Sequence, residues 1–214
     1  MKRNRVSLPV IRRLPRYFRY LSELLKHQVL KVSSNELSEK MGLTASQIRQ
    51  DFNCFGGFGQ QGYGYNIEVL HSKIAEILGL DELKNIVIVG AGNLGSALAK
   101  HIDFEKRGFR LTGIFDVDPR IIGKEINGFV IQDFANIEEC FAKTPPNVAV
   151  LTVPRAVAKQ TVDSLVSFGI KGFWNFSNME ISMPGICFEN VHLGDSLMTL
   201  SYRISSGEDM EFFD

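Results

Sequence analysis

The sequence predicts an α/β chain in two parts: an N-terminal winged-helix (helix-turn-helix) domain, then a Rossmann-like, doubly wound parallel sheet followed by one more helix. Three observations carry that prediction. Three amphipathic stretches precede residues 55–66, a segment of five glycines and four aromatics that suits a tight hairpin and cannot hold a helix. From Ile86 onward, short apolar runs alternate with helical stretches, as βαβ units do. Charge divides in the same region. Residues 1–65 hold eleven Lys and Arg against four Asp and Glu, net +7, and the remainder holds thirteen against twenty, net −7.

Taken in order, Ile11, Leu14, Phe18, Leu21, Leu24 and Leu25 recur at helical spacing, an apolar stripe backed by arginines. Ser33 and Ser34 can cap a short helix carrying Leu37 and Met41, which Gly42 closes. Thr44 can cap a third helix, residues 45 to 53 or 54, after a connection short enough for a helix-turn-helix. The hairpin follows, then a fourth amphipathic stretch at 69–80, which places a domain boundary near residue 80. Expected strands are 86–89, 111–115, 129–130, 148–153, 172–176 and 187–193. Residues 192–205 alternate Leu193, Leu197, Leu200, Tyr202 and Ile204 with polar side chains, a helix too apolar to stand free. A partner subunit or its own domain would cover it. The expected domains are 1–80, 81–190 and 191–214.

Composition excludes several classes. With 214 residues, 44% hydrophobic and 22% charged, the chain has an ordinary core and is neither disordered nor collagen-like. Arg12 and Arg13 interrupt the N-terminal apolar stretch before it reaches signal-peptide length, and no apolar run is long enough to span a bilayer. Cys54, Cys140 and Cys187 are widely spaced without a CxxC pair, which argues against a disulfide framework or a zinc site. A cytoplasmic location, no membrane and no metal are expected. Cys54, between Phe52 and Phe55, reads as a buried thiol.

The sharpest motif is Gly90-Ala91-Gly92-Asn93-Leu94-Gly95, after one strand and opening a helix, with Asp116 ending the next strand. Gly90 permits the tight turn, Gly92 lets the backbone approach a pyrophosphate, and Gly95 lets helix and strand pack closely. Helix N–H groups then face the phosphates. Asp116 can accept from the adenosine ribose hydroxyls and would repel a 2′-phosphate, so the expected cofactor is NAD(H) rather than NADP. Thr152, Val153 and Pro154 end the fourth strand of this domain, and Asn175 the fifth, where such sheets bind ligands. The proline can wall a nicotinamide ring and Asn175 can reach its carboxamide. Hydride transfer needs a positioned acid or base. None of His27, His71, His101 and His192 sits in a catalytic motif, and little chain remains for a substrate domain, so no enzyme and no catalytic residue is expected.

On the basic half, a helix-turn-helix at 33–53 would present Ser46, Gln47, Arg49 and Gln50 to a major groove. Arg12, Arg13 and Arg16 would meet phosphates, and the hairpin with Gln61, Gly62 and Tyr63 would lie along the adjacent minor groove. The expected partner is double-stranded DNA.

Arg13-Leu14-Pro15, Tyr17 and Arg19, then Arg49, Asp51-Phe52, Phe55-Gly56, Gly59 and Gly62 to Asn66 carry a resemblance over the first domain. It continues through Gly90 to Gly95, Phe115-Asp116, Leu151 to Pro154, Gly169 to Gly172 and Asn175-Phe176. With these motifs the chain resembles the bacterial redox-sensing transcriptional repressors of the Rex family. The resemblance implies a homodimer on an inverted-repeat operator, Rossmann domains that bind NAD(H), and C-terminal helices exchanged between subunits. It implies operator binding in the NAD⁺ or apo state and release by NADH. Where the family often has Lys or Arg, this chain has Gln50 and Gln61, which removes cationic contacts and flattens the salt dependence of binding. Where the family has a Tyr and an Asp linked to the arginine here numbered Arg19, this chain has His101 and His192, neither of which supplies a carboxylate. Histidine titrates near neutrality, so operator affinity is expected to vary between about pH 6 and 7.5. Two other readings remain open: an NAD(H)-binding protein with weakened operator recognition that works through a protein partner, and a small NAD-dependent oxidoreductase.

Overall fold

The computed structural model describes residues 6–56, 59–60 and 64–206. They fall into two compact units, one ending at Asp81 and the other Glu82–Ser206.

In the first unit, α1 (Leu8–Lys26) buries Val10, Leu14, Tyr17 and Leu21, one face at three- and four-residue spacing. β1 (Lys31–Val32) is a two-residue strand that no periodicity reveals. α2 (Ser34–Met41) opens on a capping box: Ser33 Oγ accepts from Glu36 N–H at 3.1 Å and Glu36 Oε2 accepts from Ser33 N–H at 2.6 Å. Gly42 closes it at φ 59°, left-handed backbone that a Cβ would disfavour. α3 (Ala45–Asn53) starts on Thr44, whose Oγ1 accepts from Gln47 N–H at 3.1 Å. β2 (Gly59–Gln60) and β3 (Gly64–Asn66) make the expected antiparallel hairpin, and β1 pairs on the other side of β3. α4 (Ile67–Leu78) starts two residues before the predicted stretch because Asn66 caps it. Its Ile67, Leu70 and Ile74 join the α1 face in one core. Three helices, a small sheet and a hairpin make a winged helix.

The second unit carries a seven-stranded sheet. Its strands are β4 (Lys84–Val89), β5 (Phe109–Asp116), β6 (Glu125–Ile126), β7 (Phe129–Asp133), β8 (Val148–Leu151), β9 (Gly172–Asn175) and β10 (Cys187–Asn190). They lie in the order β10-β9-β8-β4-β5-β7-β6, with β6 antiparallel and every other neighbour parallel. Without β6 that is the strand order of dinucleotide-binding folds, and the direction of winding reverses between β4 and β8. Successive residues of β4 point to opposite faces. Val87 and Val89 join a cluster with α6 (Ile137–Lys143) and α7 (Arg155–Ser167), and Ile86 and Ile88 one with α5 (Asn93–His101). Strand β8 stops at Leu151, two residues short of the predicted end, because Pro154 has no N–H and caps α7 instead.

The last helix, α8 (Leu193–Ser206), buries none of its residues, and Leu197 and Ile204 are 67% and 74% exposed. Of the two covers the sequence leaves open, docking on its own domain is not what the structure shows. Among the described residues no helix is long and apolar enough to cross a membrane, and no group of three or more His, Cys, Asp or Glu is placed to hold a metal.

Candidate nucleotide site and nucleic-acid interface

The glycine loop sits at the reversal of the sheet. Gly90 has φ +100°, and a Cβ there would lie 2.8 Å from the Thr152 backbone. A Cβ on Gly95 would lie 1.9 Å from the Gly90 carbonyl oxygen, so only glycine lets α5 meet the strand end so closely. Gly92 is different in kind: a Cβ there would meet nothing within 4 Å. Two glycines therefore serve the fold, and the third leaves bare backbone facing a cavity.

That cavity has a volume of about 710 Å³ and is lined by Gly90, Gly92, Asp116, Val117, Ile121, Phe134 and the Thr152-Val153-Pro154 turn, with Gln160, Thr161 and Ser164 of α7 along one side. Asp116 braces the loop: its Oδ2 accepts from Ala91 N–H at 2.5 Å, and its Oδ1 from Val117 and Asp118 N–H at 2.7 and 2.9 Å. Oδ2 keeps a second lone pair for a ribose hydroxyl. Thr152 ties the two strand ends together, its Oγ1 donating to the Gly90 carbonyl at 2.6 Å. Asn93 and Leu94 form the first turn of α5, which has no side-chain cap and no acidic residue, so its N–H groups are available to an anion. Val117, Ile121 and Phe134 beside Asp116 can hold an adenine, and Val153 and Pro154 can wall the other end. The residues present fit a dinucleotide.

Asn175 requires a correction. Its side chain is 2% exposed, and all four of its hydrogen-bonding positions are filled within the fold. Nδ2 donates to Met179 O at 2.8 Å and Asn190 Oδ1 at 2.7 Å, while Oδ1 accepts from Ser177 N–H at 3.0 Å and Ser177 Oγ at 2.7 Å. It folds the loop after β9 and has nothing left to offer a carboxamide. His101 ends α5, about 12 Å along the helix from the glycine loop at 1.5 Å per residue, and is not among the residues lining the cavity. His192 lies at the root of α8 with Nε2 3.1 Å from Glu180 Oε1. The carboxylate the histidine lacks thus stands beside it, on a residue twelve positions away that no sequence signal marks.

On the winged helix, α3 exposes Ser46, Arg49, Gln50 and Asn53, a stripe at spacings of three, four and seven residues along one face. Asn53 is an addition to the predicted set, legible as the residue seven positions after Ser46. Gln47 is half-buried instead, its Nε2 donating to Asp51 Oδ1 at 2.9 Å. Arg49 donates to Ser34 Oγ at 3.0 Å and stays exposed. Cys54 is exposed rather than buried, its Sγ donating to Gln50 O at 3.3 Å. Gln61, Gly62 and Tyr63 lie outside the described residues.

Two of the three predicted phosphate-binding arginines work inside the fold. Arg13 grips the buried Asp51 side on, Nε to Oδ2 at 2.6 Å and Nη2 to Oδ1 at 2.7 Å, and Tyr17 OH adds a third donor at 2.8 Å. Burial pushes the Asp51 carboxyl up, but the hydrogen bonds from Arg13, Tyr17 and Gln47 outweigh it and hold the group below the usual carboxylate range. Burial and the bond to Asp51 raise the Tyr17 hydroxyl. Arg16 Nη2 donates to Met41 O at 2.8 Å and closes the end of α2. Arg12 and Arg19 are exposed on α1.

Sequence families match both units: the CoA binding domain family over residues 81–179, and the family described as "Putative DNA-binding protein N-terminus" over residues 5–53. The redox-sensing transcriptional repressor Rex of Thermoanaerobacter pseudethanolicus is 53% identical over 208 residues, which cover 97% of this chain and 93% of that protein. The Rex protein of Clostridium tetani is 47% identical over 209 residues, 97% of this chain and 99% of that one. A crystal structure of RSP in complex with beta-NAD⁺ and operator DNA superimposes with a TM-score of 0.88 at 53% identity, over 95% of this chain and 94% of that chain. RSP in complex with beta-NADH gives 0.87 at 50% identity, over 96% and 97%.

Proposed function

The chain belongs to the Rex family of redox-sensing transcriptional repressors, and from that premise we propose that its own residues divide the work as follows. It is a repressor that senses the NADH/NAD⁺ ratio, a homodimer that binds an inverted-repeat operator in the NAD⁺ or apo state and leaves it when NADH binds. No catalytic turnover belongs to this function, since the relatives that define the family are repressors. The cytoplasm, where genes are transcribed in bacteria, is where we place it.

The observation that carries the reading is the pairing, in one chain, of a dinucleotide-sized cavity at the sheet reversal with an exposed polar stripe on α3. Gly92 and the first turn of α5 cradle the pyrophosphate, Asp116 holds the adenosine ribose, and Val153 and Pro154 face the nicotinamide. Ser46, Arg49, Gln50 and Asn53 read base edges, and Arg12 meets phosphate. The hairpin with Gln61, Gly62 and Tyr63 takes the adjacent minor groove. NAD(H) supplies a nicotinamide ring that is cationic when oxidised and neutral when reduced. Only contacts that differ between those forms bias the two DNA-binding states. The unburied apolar face of α8 supports its exchange onto a second copy, and Arg19, His101 and His192 are assigned to the relay between cofactor and DNA.

Fluorescence anisotropy of a labelled inverted-repeat duplex at low salt, with NADH titrated against saturating NAD⁺, tests this. Binding in NAD⁺ that NADH abolishes is the expected result. Binding indifferent to NADH refutes the sensor. No binding at all, with a gain on placing Lys at Gln50 and Gln61, favours instead an NAD(H)-binding protein that acts through a protein partner.

A further inference from the structure

The loop and strand between the cavity and α8 contain a polar cluster that the cofactor does not account for. Asn190, at the end of β10, accepts from Asn175 with Oδ1 at 2.7 Å, and its Nδ2 donates to Glu180 Oε2 at 3.0 Å and Ile181 O at 3.2 Å. Glu180 holds His192 with its other oxygen, and the His192 carbonyl accepts from Asp195 N–H at 3.1 Å in the first turn of α8. The backbone runs parallel to this chain of side chains: Val191 N–H donates to Asn175 O at 2.8 Å. At its inner end the cluster comes within one residue of the cavity wall. Asn175 is in register with Leu151 of the neighbouring strand, and Phe176 N–H donates to Leu151 O at 2.8 Å, one residue before the Thr152 to Pro154 wall.

We propose that Glu180, Asn190 and His192 form a latch at the root of α8, with Asn175 as its anchor. It fixes the direction in which the helix leaves the nucleotide domain and passes movement of the Thr152 to Pro154 wall into the helix. The proposal rests on the sensor reading above, because a latch on an exchanged helix matters only if cofactor state must reach a second subunit. Its physical basis is the contrast between the two ends. Asn175 is sealed in the core with every bond made, so it moves only with the sheet, whereas α8 buries nothing in its own domain and takes its orientation from its root. These are positioning residues: none of Glu180, Asn190 and His192 lines the cavity.

Glu180→Ala is the informative variant, because the Glu180 side chain is 77% exposed and its loss does not threaten folding. Asn190→Ala is its companion. Both proteins should bind NADH, followed by its fluorescence, within about threefold of the parent, while the factor by which NADH weakens operator binding falls from the range of about 5 to 150 expected of linked sites toward unity. An NADH effect equal to the parent's in both variants overturns the relay. Hydrogen exchange separates this from failure of the sensor reading. Glu180→Ala should speed exchange at residues 191–196 with or without DNA, and unchanged protection there overturns the latch itself. If the parent ignores NADH, the sensor reading and the relay fall together.

Discussion

Arg13→Met removes a charge that the sequence assigns to DNA and the structure assigns to Asp51. Methionine keeps the length and the apolar contacts of the stem, so the loss is confined to the guanidinium. Asp51 then retains Tyr17 and Gln47 as donors, but its side chain is 1% exposed and holds an uncompensated charge. Removing one partner of a buried ion pair costs about 3–5 kcal/mol. Two surviving hydrogen bonds, and a solvent path where Arg13 was 21% exposed, place this case at the low end, about 3 kcal/mol. The double variant Arg13→Met/Asp51→Asn should be more stable than Arg13→Met alone, because a neutral amide needs no counter-charge. Denaturant unfolding of the full chain measures both.

The acid response follows with a definite sign. In the parent the folded carboxyl lies below its unfolded value, so its stabilisation is present above about pH 3.9 and is lost as pH falls through the folded value. Without Arg13 the carboxyl titrates at higher pH, and the stability gap between variant and parent narrows as pH drops below about 5. DNA binding supplies the second readout. A phosphate contact contributes about 0.9 to the slope of log affinity against log salt. An internal Arg13 predicts an unchanged slope between 50 and 200 mM salt, with affinity reduced because α3 loses its brace on α1. A slope that falls by about 0.9 per half-site, in a variant as stable as the parent, would falsify the internal assignment.

Three further outcomes are expected. Gly92→Ala should fold as the parent does yet lose NADH affinity at least about tenfold, or about 1.4 kcal/mol, whereas Gly95→Ala should destabilise the nucleotide domain itself, since its Cβ would meet the Gly90 carbonyl oxygen at 1.9 Å. Calorimetry with and without NADH distinguishes them, and equal thermal shifts in the two variants would contradict the division of labour. Gln50→Ala and Asn53→Ala should each cost about 1–3 kcal/mol of operator binding and relax discrimination at one base pair, with no change in the salt slope. A uniform loss across all operator sequences would move those side chains from bases to backbone. His71 stacks on Phe18 at 4.3 Å between ring centroids and meets Ser22 Oγ at 2.8 Å, and burial lowers its pKa. A histidine whose folded value is depressed stabilises fully above its unfolded value near 6.5 and less as pH falls below it, so the winged helix should weaken from pH 7 to 5. His71→Phe should lose that dependence, and a dependence that persists would place its source elsewhere.

The features legible in the sequence are those whose cause is short-ranged. Thr44 and Gly42 mark the ends of their helices because caps act over three or four residues. The glycine loop and Asp116 mark the cavity at the sheet reversal because a strand, a tight turn and a helix must follow one another along the chain. Even Asn53 was available from helical spacing alone. Short strands such as β1, with two residues, leave no periodicity to read, and they exist only because β3 offers them a partner. The destinations of the polar side chains were decided by tertiary structure. Arg13 meets Asp51 across 38 residues, Asn190 meets Asn175 across 15, and Glu180 meets His192 across 12. A basic residue on an amphipathic helix looks the same in sequence whether it faces phosphate or a carboxylate in the core. Packing alone settles which, because a buried charge cannot remain without its partner.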